Sequence, residues 1–197
     1  MDKLNYMGDA RWWDNRIKDR EIILREPEEE LVKDVNFFRP GSKVLELACG
    51  DGRNAVYLAK KGYVVTAVDF SEEALSRMGR FMMASAVHME IIRADLSVSS
   101  FYDRLGSYDV VIANHYRISP KLIDKVWQHI SPGGMLWTNG FYELPSSNPA
   151  ITEGDLIKDS DFYTIEQENA ILIHRHIYNL GDRVFIKNLW KKSIDKE

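Results

Sequence analysis

The chain has 197 residues, 45% hydrophobic and 28% charged, with a formal net charge of −4 and a pI of about 5.8. That length suits one globular domain, and the acidic balance offers no basic field to a nucleic acid or an anionic membrane. The single cysteine, Cys49, excludes an internal disulfide and points to a reducing compartment. The N-terminal stretch lacks the apolar core of a signal peptide, and no run of 18 apolar residues occurs, so the expectation is a soluble, cytoplasmic single domain.

In chain order, an aromatic segment with Tyr6, Trp12 and Trp13 comes first, followed by PEEELVKDVNFF (27–38). The latter reads as a packing helix with Pro27 at its first position. KVLELA (43–48) is a strand, and RNAVYLAKKG (53–62) a helix ended by Gly62. YVVTAVDF (63–70) is the next strand, after which Ser71 caps a helix with Glu72 and Glu73 in its first turn. VHMEIIRADL (87–96), YDVVIA (108–113) and GGMLWTNG (133–140) are further strands. Between the last two, PKLIDKVWQHI (120–130) is helical in period, with Pro132 and Gly133 expected to end it. ELPSSNPAITEGD (143–155) reads as an irregular loop, and ENAILIHRHIY (168–178) with RVFIKNLWKK (183–192) as an antiparallel hairpin about Asn179 to Asp182. Strands alternating with helices argue for an α/β fold with a mostly parallel sheet.

The chemistry starts at the turn after the first strand. Gly50 and Gly52 permit a tight turn and close approach to a ligand, and the helix that follows offers N–H groups at its start. GDGRNA alone fits G-x-G-x-x-A, a dinucleotide pattern as well. Asp69, at the end of the second strand and 17 residues beyond Gly52, is placed to accept both hydroxyls of a ribose. A pyrophosphate would be opposed by the carboxylates of Glu46 and Asp51, which suit a cationic ligand instead. Asp95-Leu96 follows the third strand, where an acid and a backbone N–H can read an adenine edge.

Taken together, VLELACGDGRNAVYLAKKGYVVTAVDFS, RADL, YDVVIA and SPGGML resemble the class I S-adenosylmethionine-dependent methyltransferases over roughly residues 40–140, and most closely their small-molecule branch of tellurite-resistance type. The resemblance implies a Rossmann-like, seven-stranded sheet with helices on both faces and a reversed last strand. Residues 1–38 would be a helical or lid segment, 40–140 the cofactor-binding core, and 141–197 a substrate-side loop with the hairpin. It implies S-adenosyl-L-methionine as cofactor, S-adenosyl-L-homocysteine as product, and methyl transfer to an O, N or S atom of a small molecule. Glu46 would hold the methionine amino group, and Ala48, Gly50 and Gly52 would form the turn beside it, with Ala48 replacing the family's first glycine. Asp69 would take the ribose, Phe70 would lie against the adenine, Asp95 and Leu96 would read its edge, and Asn114 would touch the methionine portion.

In-line displacement at a sulfonium gains mainly from alignment and exclusion of water. If a base is used, His115 is the first candidate, because imidazole titrates near neutral pH. Tyr116 and Arg117 are candidates to orient the acceptor. Tyr6, Trp12, Trp13 and Arg16 form either a lid, with cation–π contact to a sulfonium, or plain packing. Asn114-His115-Tyr116 lacks the prolines of the Asn-Pro-Pro-Tyr signature of amino-methylating enzymes, which disfavours DNA or glutamine as acceptor. His174 and His176 share a strand face without a third ligand, so no metal is expected, and Cys49 reads as a small buried residue. The rival readings are an NAD(P)-dependent oxidoreductase and a non-catalytic S-adenosylmethionine-binding protein of the same fold.

Overall fold

The computed structural model describes residues 8–194. Its seven strands form one mixed sheet in which a single strand, β7 (Arg183–Lys192), runs antiparallel to its neighbours. The chain divides into two compact units, residues 8–96 and residues 97 onward. Tyr6 lies outside the described residues. Among the described residues, no helix is long and apolar enough to cross a membrane.

The first unit contains α1 (Ala10–Lys18), α2 (Glu29–Asp34), β1 (Lys43–Leu47), α3 (Arg53–Lys60), β2 (Val64–Asp69), α4 (Glu72–Ser85) and β3 (Glu90–Arg93). β1 pairs parallel with β2, Leu47 opposite Val68, and β2 pairs parallel with β3, Asp69 opposite Arg93. Parallel strands covered on both faces carry near-continuous apolar runs. Accordingly Val44, Leu45, Leu47, Val65, Ala67 and Val68 are fully buried, together with Ala55, Val56 and Leu58 of α3. Glu46 therefore stands between two fully buried leucines, Leu45 and Leu47.

Local chemistry explains where these elements begin. Gly52 is the N-cap of α3 with φ +85°, so that helix starts without a side-chain cap. At α4 the Ser71 hydroxyl accepts from the Ala74 N–H at 3.1 Å, as the sequence predicted. Asp14 of α1 reinforces that start, accepting from the Ser71 hydroxyl at 2.6 Å and the Glu73 N–H at 3.1 Å. Pro27 does not open α2. The helix begins at Glu29 with Glu28 as its N-cap, because the Glu28 N–H is drawn to Asn54 Oδ1 at 2.8 Å. β3 is also shorter than the apolar run suggested, only Glu90–Arg93.

The second unit contains α5 (Ser99–Tyr102), β4 (Tyr108–Asn114), α6 (Ile123–Gln128), β5 (Ile130–Phe141), α7 (Tyr163–Glu168), β6 (Ala170–Leu180) and β7. The strand order here is β4-β5-β7-β6. Its core is aromatic, with Trp127, Trp137, Trp190, Tyr102 and Phe185 fully buried. Pro132 and Gly133 do not end α6. The helix stops at Gln128, and Ile130 already pairs with Tyr108. The two residues fall inside β5, where the register shifts before Val110 meets Met135. That irregularity accommodates a proline, which cannot donate to the ladder. The hairpin is tighter than predicted: Leu180 pairs with Arg183 across Gly181 and Asp182, with Gly181 at φ +66°.

Candidate functional site

The end of β1 and the start of α3 bring a glycine turn and two buried acids together. Gly50 (φ +57°) and Gly52 (φ +85°) both occupy left-handed backbone. A side chain at Gly50 would enter open space, whereas one at Gly52 would strike Met78 at 2.5 Å. Gly52 thus allows α3 to pack on α4, and Gly50 borders room for a ligand. Ala48, also left-handed at φ +53°, bears the strain that the family's first glycine would avoid.

Asp69 closes this turn. Its Oδ2 accepts from the Gly50 N–H at 2.8 Å and its Oδ1 from the Ser71 N–H at 2.9 Å. Each carboxylate oxygen keeps a further lone pair for a hydroxyl. Burial raises its pKa, against the lowering effect of those N–H groups.

Glu46 is 1% exposed. Its Oε1 accepts from Asn54 Nδ2 at 3.0 Å, while Oε2 has no partner among the described residues. Burial pushes its pKa up to about 7; the Asn54 hydrogen bond, the charge of Arg53 and the Ala55 N–H oppose the rise, and the nearby Asp69 adds to it. A buried carboxylate with one orphaned oxygen is costly unless a cation meets it.

Asp51, which the sequence offered as a second acid for a cationic ligand, is already paired. Arg25 Nη2 lies 3.2 Å from its Oδ1. Arg53 meets Glu28 at 2.8 Å and the Glu26 carbonyl at 3.4 Å, so residues 25–28 form a strap fastened to the turn and to the first residues of α3. Asn54, which bridges the Glu28 N–H to Glu46, was not singled out in the sequence. Its only signal there is a polar side chain in the first turn of a helix whose other inward residues are apolar. Cys49 is buried and its thiol is raised well above its ordinary range, chiefly by that burial, so it is no thiolate.

The remaining residues predicted in the first unit are placed as follows. Phe70 is half-buried after β2, Asp95 is exposed, and Leu96 is buried. Trp12 and Trp13 meet edge to face at 4.9 Å, and the Arg16 guanidinium lies over the Trp12 ring at 5.2 Å, so Arg16 makes its cation–π contact within its own helix.

In the second unit, Asn114 ends β4. Its Oδ1 accepts from Asn139 Nδ2 at 3.0 Å, and Asn139 Oδ1 accepts from the Tyr178 hydroxyl at 3.0 Å. His115 follows in left-handed backbone, φ +53°, exposed, with its ring edge-on to Phe185 at 5.1 Å. Tyr116 is half-buried. Arg117 is taken up by a bidentate pair with Asp161, 2.7 and 2.5 Å, and by the Gly154 carbonyl at 3.0 Å. The sequence did not suggest Asp161. His174 and His176 lie ring beside ring at 6.2 Å, and among the described residues no cluster of three or more candidate metal ligands occurs.

Residues 44–134 match the family described as a methyltransferase domain. The ribosomal RNA small subunit methyltransferase C of Alcanivorax borkumensis is 32% identical over 119 residues, 56% of this chain and 35% of that protein. The probable S-adenosyl-L-methionine-dependent methyltransferase TehB of Haemophilus influenzae is 27% identical over 99 residues, 47% of this chain and 33% of that protein. The chain thus spans about a third of the length of these two relatives. The crystal structure of TehB from H. influenzae shares the fold with a TM-score of 0.69 at 19% identity, covering 85% of this chain and 63% of the other. Magnesium protoporphyrin IX methyltransferase from Synechocystis, solved with bound S-adenosylhomocysteine, shares it at 0.64 and 17% identity, covering 93% and 83%.

By fold, and by a domain match over residues 44–134, the chain is similar to the class I S-adenosylmethionine-dependent methyltransferases. Within that class it is similar to the TehB proteins. The turn fits the methionine end of the cofactor on two observations, the orphaned and buried Glu46 Oε2 and the open space at Gly50.

Proposed function

We propose that this protein methylates a small-molecule acceptor with S-adenosylmethionine, and that Glu46, Gly50, Gly52 and Asp69 hold the cofactor. The observation that carries the reading is the Glu46 carboxylate: buried, held by Asn54 on one oxygen and unpartnered on the other. When bound, S-adenosylmethionine supplies a methyl group on a sulfonium, ready for displacement by a nucleophile. Glu46 pairs with the ammonium group and, once ionised, offsets its positive charge in a dry setting where a charge pair is strong. Asp69, preset by two backbone N–H groups, accepts from the ribose hydroxyls. The family resemblance further assigns Phe70, Asp95 and Leu96 to the adenine and Asn114 to the methionine portion. It makes His115 the candidate base and Tyr116 a candidate to orient the acceptor.

A small acceptor is favoured by the net charge of −4, since RNA binding draws its affinity from clustered basic groups, although the relative from A. borkumensis is named for ribosomal RNA. An oxidoreductase reading is disfavoured by the same orphaned acid, which would face a pyrophosphate. Thermal denaturation with S-adenosylhomocysteine, NAD and NADP separates these readings. A ligand at a hundred times its Kd adds about 2.7 kcal/mol to stability. Stabilisation by S-adenosylhomocysteine alone is expected, and stabilisation by NAD or NADP alone would overturn the reading.

A further inference from the structure

The turn that follows α1 is built with unusual care for a surface segment. Arg77, 2% exposed, spends its guanidinium on three partners: Glu73 Oε1 at 3.2 Å, the Glu21 carbonyl at 3.2 Å and the Lys18 carbonyl at 3.3 Å. The two carbonyls flank Arg20, whose own N–H closes the turn on Ile17 O at 3.0 Å. Asp14 ties the same helix to the start of α4. A buried arginine and a buried cap thereby hold residues 18–21 in place.

What this turn carries is a cation lacking a counter-charge of its own. Arg20 is half-buried, and among the described residues its guanidinium has no hydrogen-bond or ion-pair partner. The charges that weigh most on it are those of Arg25, Arg16 and Arg77, offset in part by Asp51; Arg25 already engages Asp51 at 3.2 Å and Glu73 engages Arg77 at 3.2 Å. Burial and these like charges push its pKa down. Of these guanidinium groups, Arg25 and Arg77 have carboxylate partners and Arg20 has none among the described residues, which leaves its fork open to an added anion.

We infer that Arg20, supported by Arg16 and Arg25, receives an oxyanion group of the methyl acceptor, a carboxylate or a phosphate. The inference rests on the methyltransferase reading for the word acceptor, and on the arginine cluster alone for the anion. Arginine suits the role because its planar fork donates two parallel hydrogen bonds to either group. Asp51 keeps Arg25 aimed at the turn, and Trp12 beneath Arg16 gives the anion an aromatic wall.

The test is a titration of the full chain with sodium phosphate and, separately, sodium acetate. Sodium chloride at matched ionic strength is the reference, and the readouts are the arginine Nε–H and Trp12 indole N–H resonances. Each series is run with and without S-adenosylhomocysteine. The result expected is a saturable shift of the Arg20 and Trp12 signals with one of the two anions, and the tighter one names the group. Arg20→Gln is expected to weaken that binding at least tenfold, with Arg11→Gln, an exposed change on α1, leaving it unchanged. Absence of saturation beyond the chloride control, or a Kd for Arg20→Gln within twofold of the parent, would overturn the inference. Failure to bind S-adenosylhomocysteine would count against the methyltransferase reading and leave the anion result standing on its own.

Discussion

The two units differ in where their unpartnered buried atoms stand: Asp124 Oδ1 on a helix and Trp190 Nε1 in a strand in residues 97–194, but Glu46 Oε2 at a strand end followed by a glycine turn in residues 8–96. In residues 97–194 the Arg117 fork is filled by Asp161 and Gly154, and Asn114 is held through Asn139 and Tyr178. In residues 8–96 the Glu46 carboxylate keeps one oxygen, and Arg20 its guanidinium, without a hydrogen-bond partner among the described residues, and Ala48 occupies backbone suited to glycine. Satisfied networks serve stability, and unsatisfied ones cost it. The contrast supports the proposed cofactor contact at Glu46 and gives Arg117 a structural tie to Asp161.

The largest expected loss of stability tests that tie. Arg117→Ala leaves Asp161, 3% exposed as a side chain, without its cation, and is expected to cost about 3 kcal/mol of stability, the low end for breaking a buried pair because Arg117 keeps some solvent. Chemical denaturation gives the loss, and calorimetry is expected to find S-adenosylhomocysteine affinity unchanged. A drop in affinity exceeding the parent's by tenfold would erase the contrast between the units.

Glu46→Gln is expected to weaken S-adenosylhomocysteine by about 2 to 5 kcal/mol, the range for losing one partner of a buried charge pair. Without ligand the same change should stabilise the protein at pH 8. Below pH 4.5 Glu46 is protonated in both states. From there to about 7 the folded state holds its proton while the unfolded state releases it, so stability falls as pH rises, by roughly 3 kcal/mol in all, and then levels. Urea unfolding from pH 4 to 8 should show this slope in the parent and lose it in Glu46→Gln.

Asp69→Ala is expected to cost about 1.5 to 3 kcal/mol of nucleoside binding, the range for hydrogen bonds to a charged group. An affinity within twofold of the parent would remove the ribose from Asp69. The smallest effect is Ala48→Gly, which relieves left-handed strain worth about 1 kcal/mol against a comparable gain in unfolded-chain entropy. A change in Tm of a few degrees or less is expected, with cofactor affinity retained.

Much of the first unit was legible because its constraints are local. A glycine needing positive φ, a serine ahead of a helix and an acid inside an apolar strand each show in a few adjacent letters. Asn54, Arg25 and Arg77 were not legible, since their meaning lies in partners 8, 26 and 56 positions away. The second unit was read correctly as strands and hairpin, yet the pairing of Arg117 was not legible because Asp161 stands 44 residues on. Pro132 and Gly133 misled for a related reason: a strand register shift, visible only once β4 and β5 pair, gives them a place that reads as a helix stop in isolation.

The central claim is that a buried, orphaned Glu46 awaits the ammonium of the cofactor. Calorimetric titration of the parent and of Glu46→Gln with S-adenosylhomocysteine from pH 5.5 to 8.5 tests it most directly. The account predicts that parent affinity climbs with pH and levels above about 7, as Glu46 ionises, while the variant binds weakly and without that climb. Parent binding that is flat across the range, or a variant that matches the parent, would contradict it.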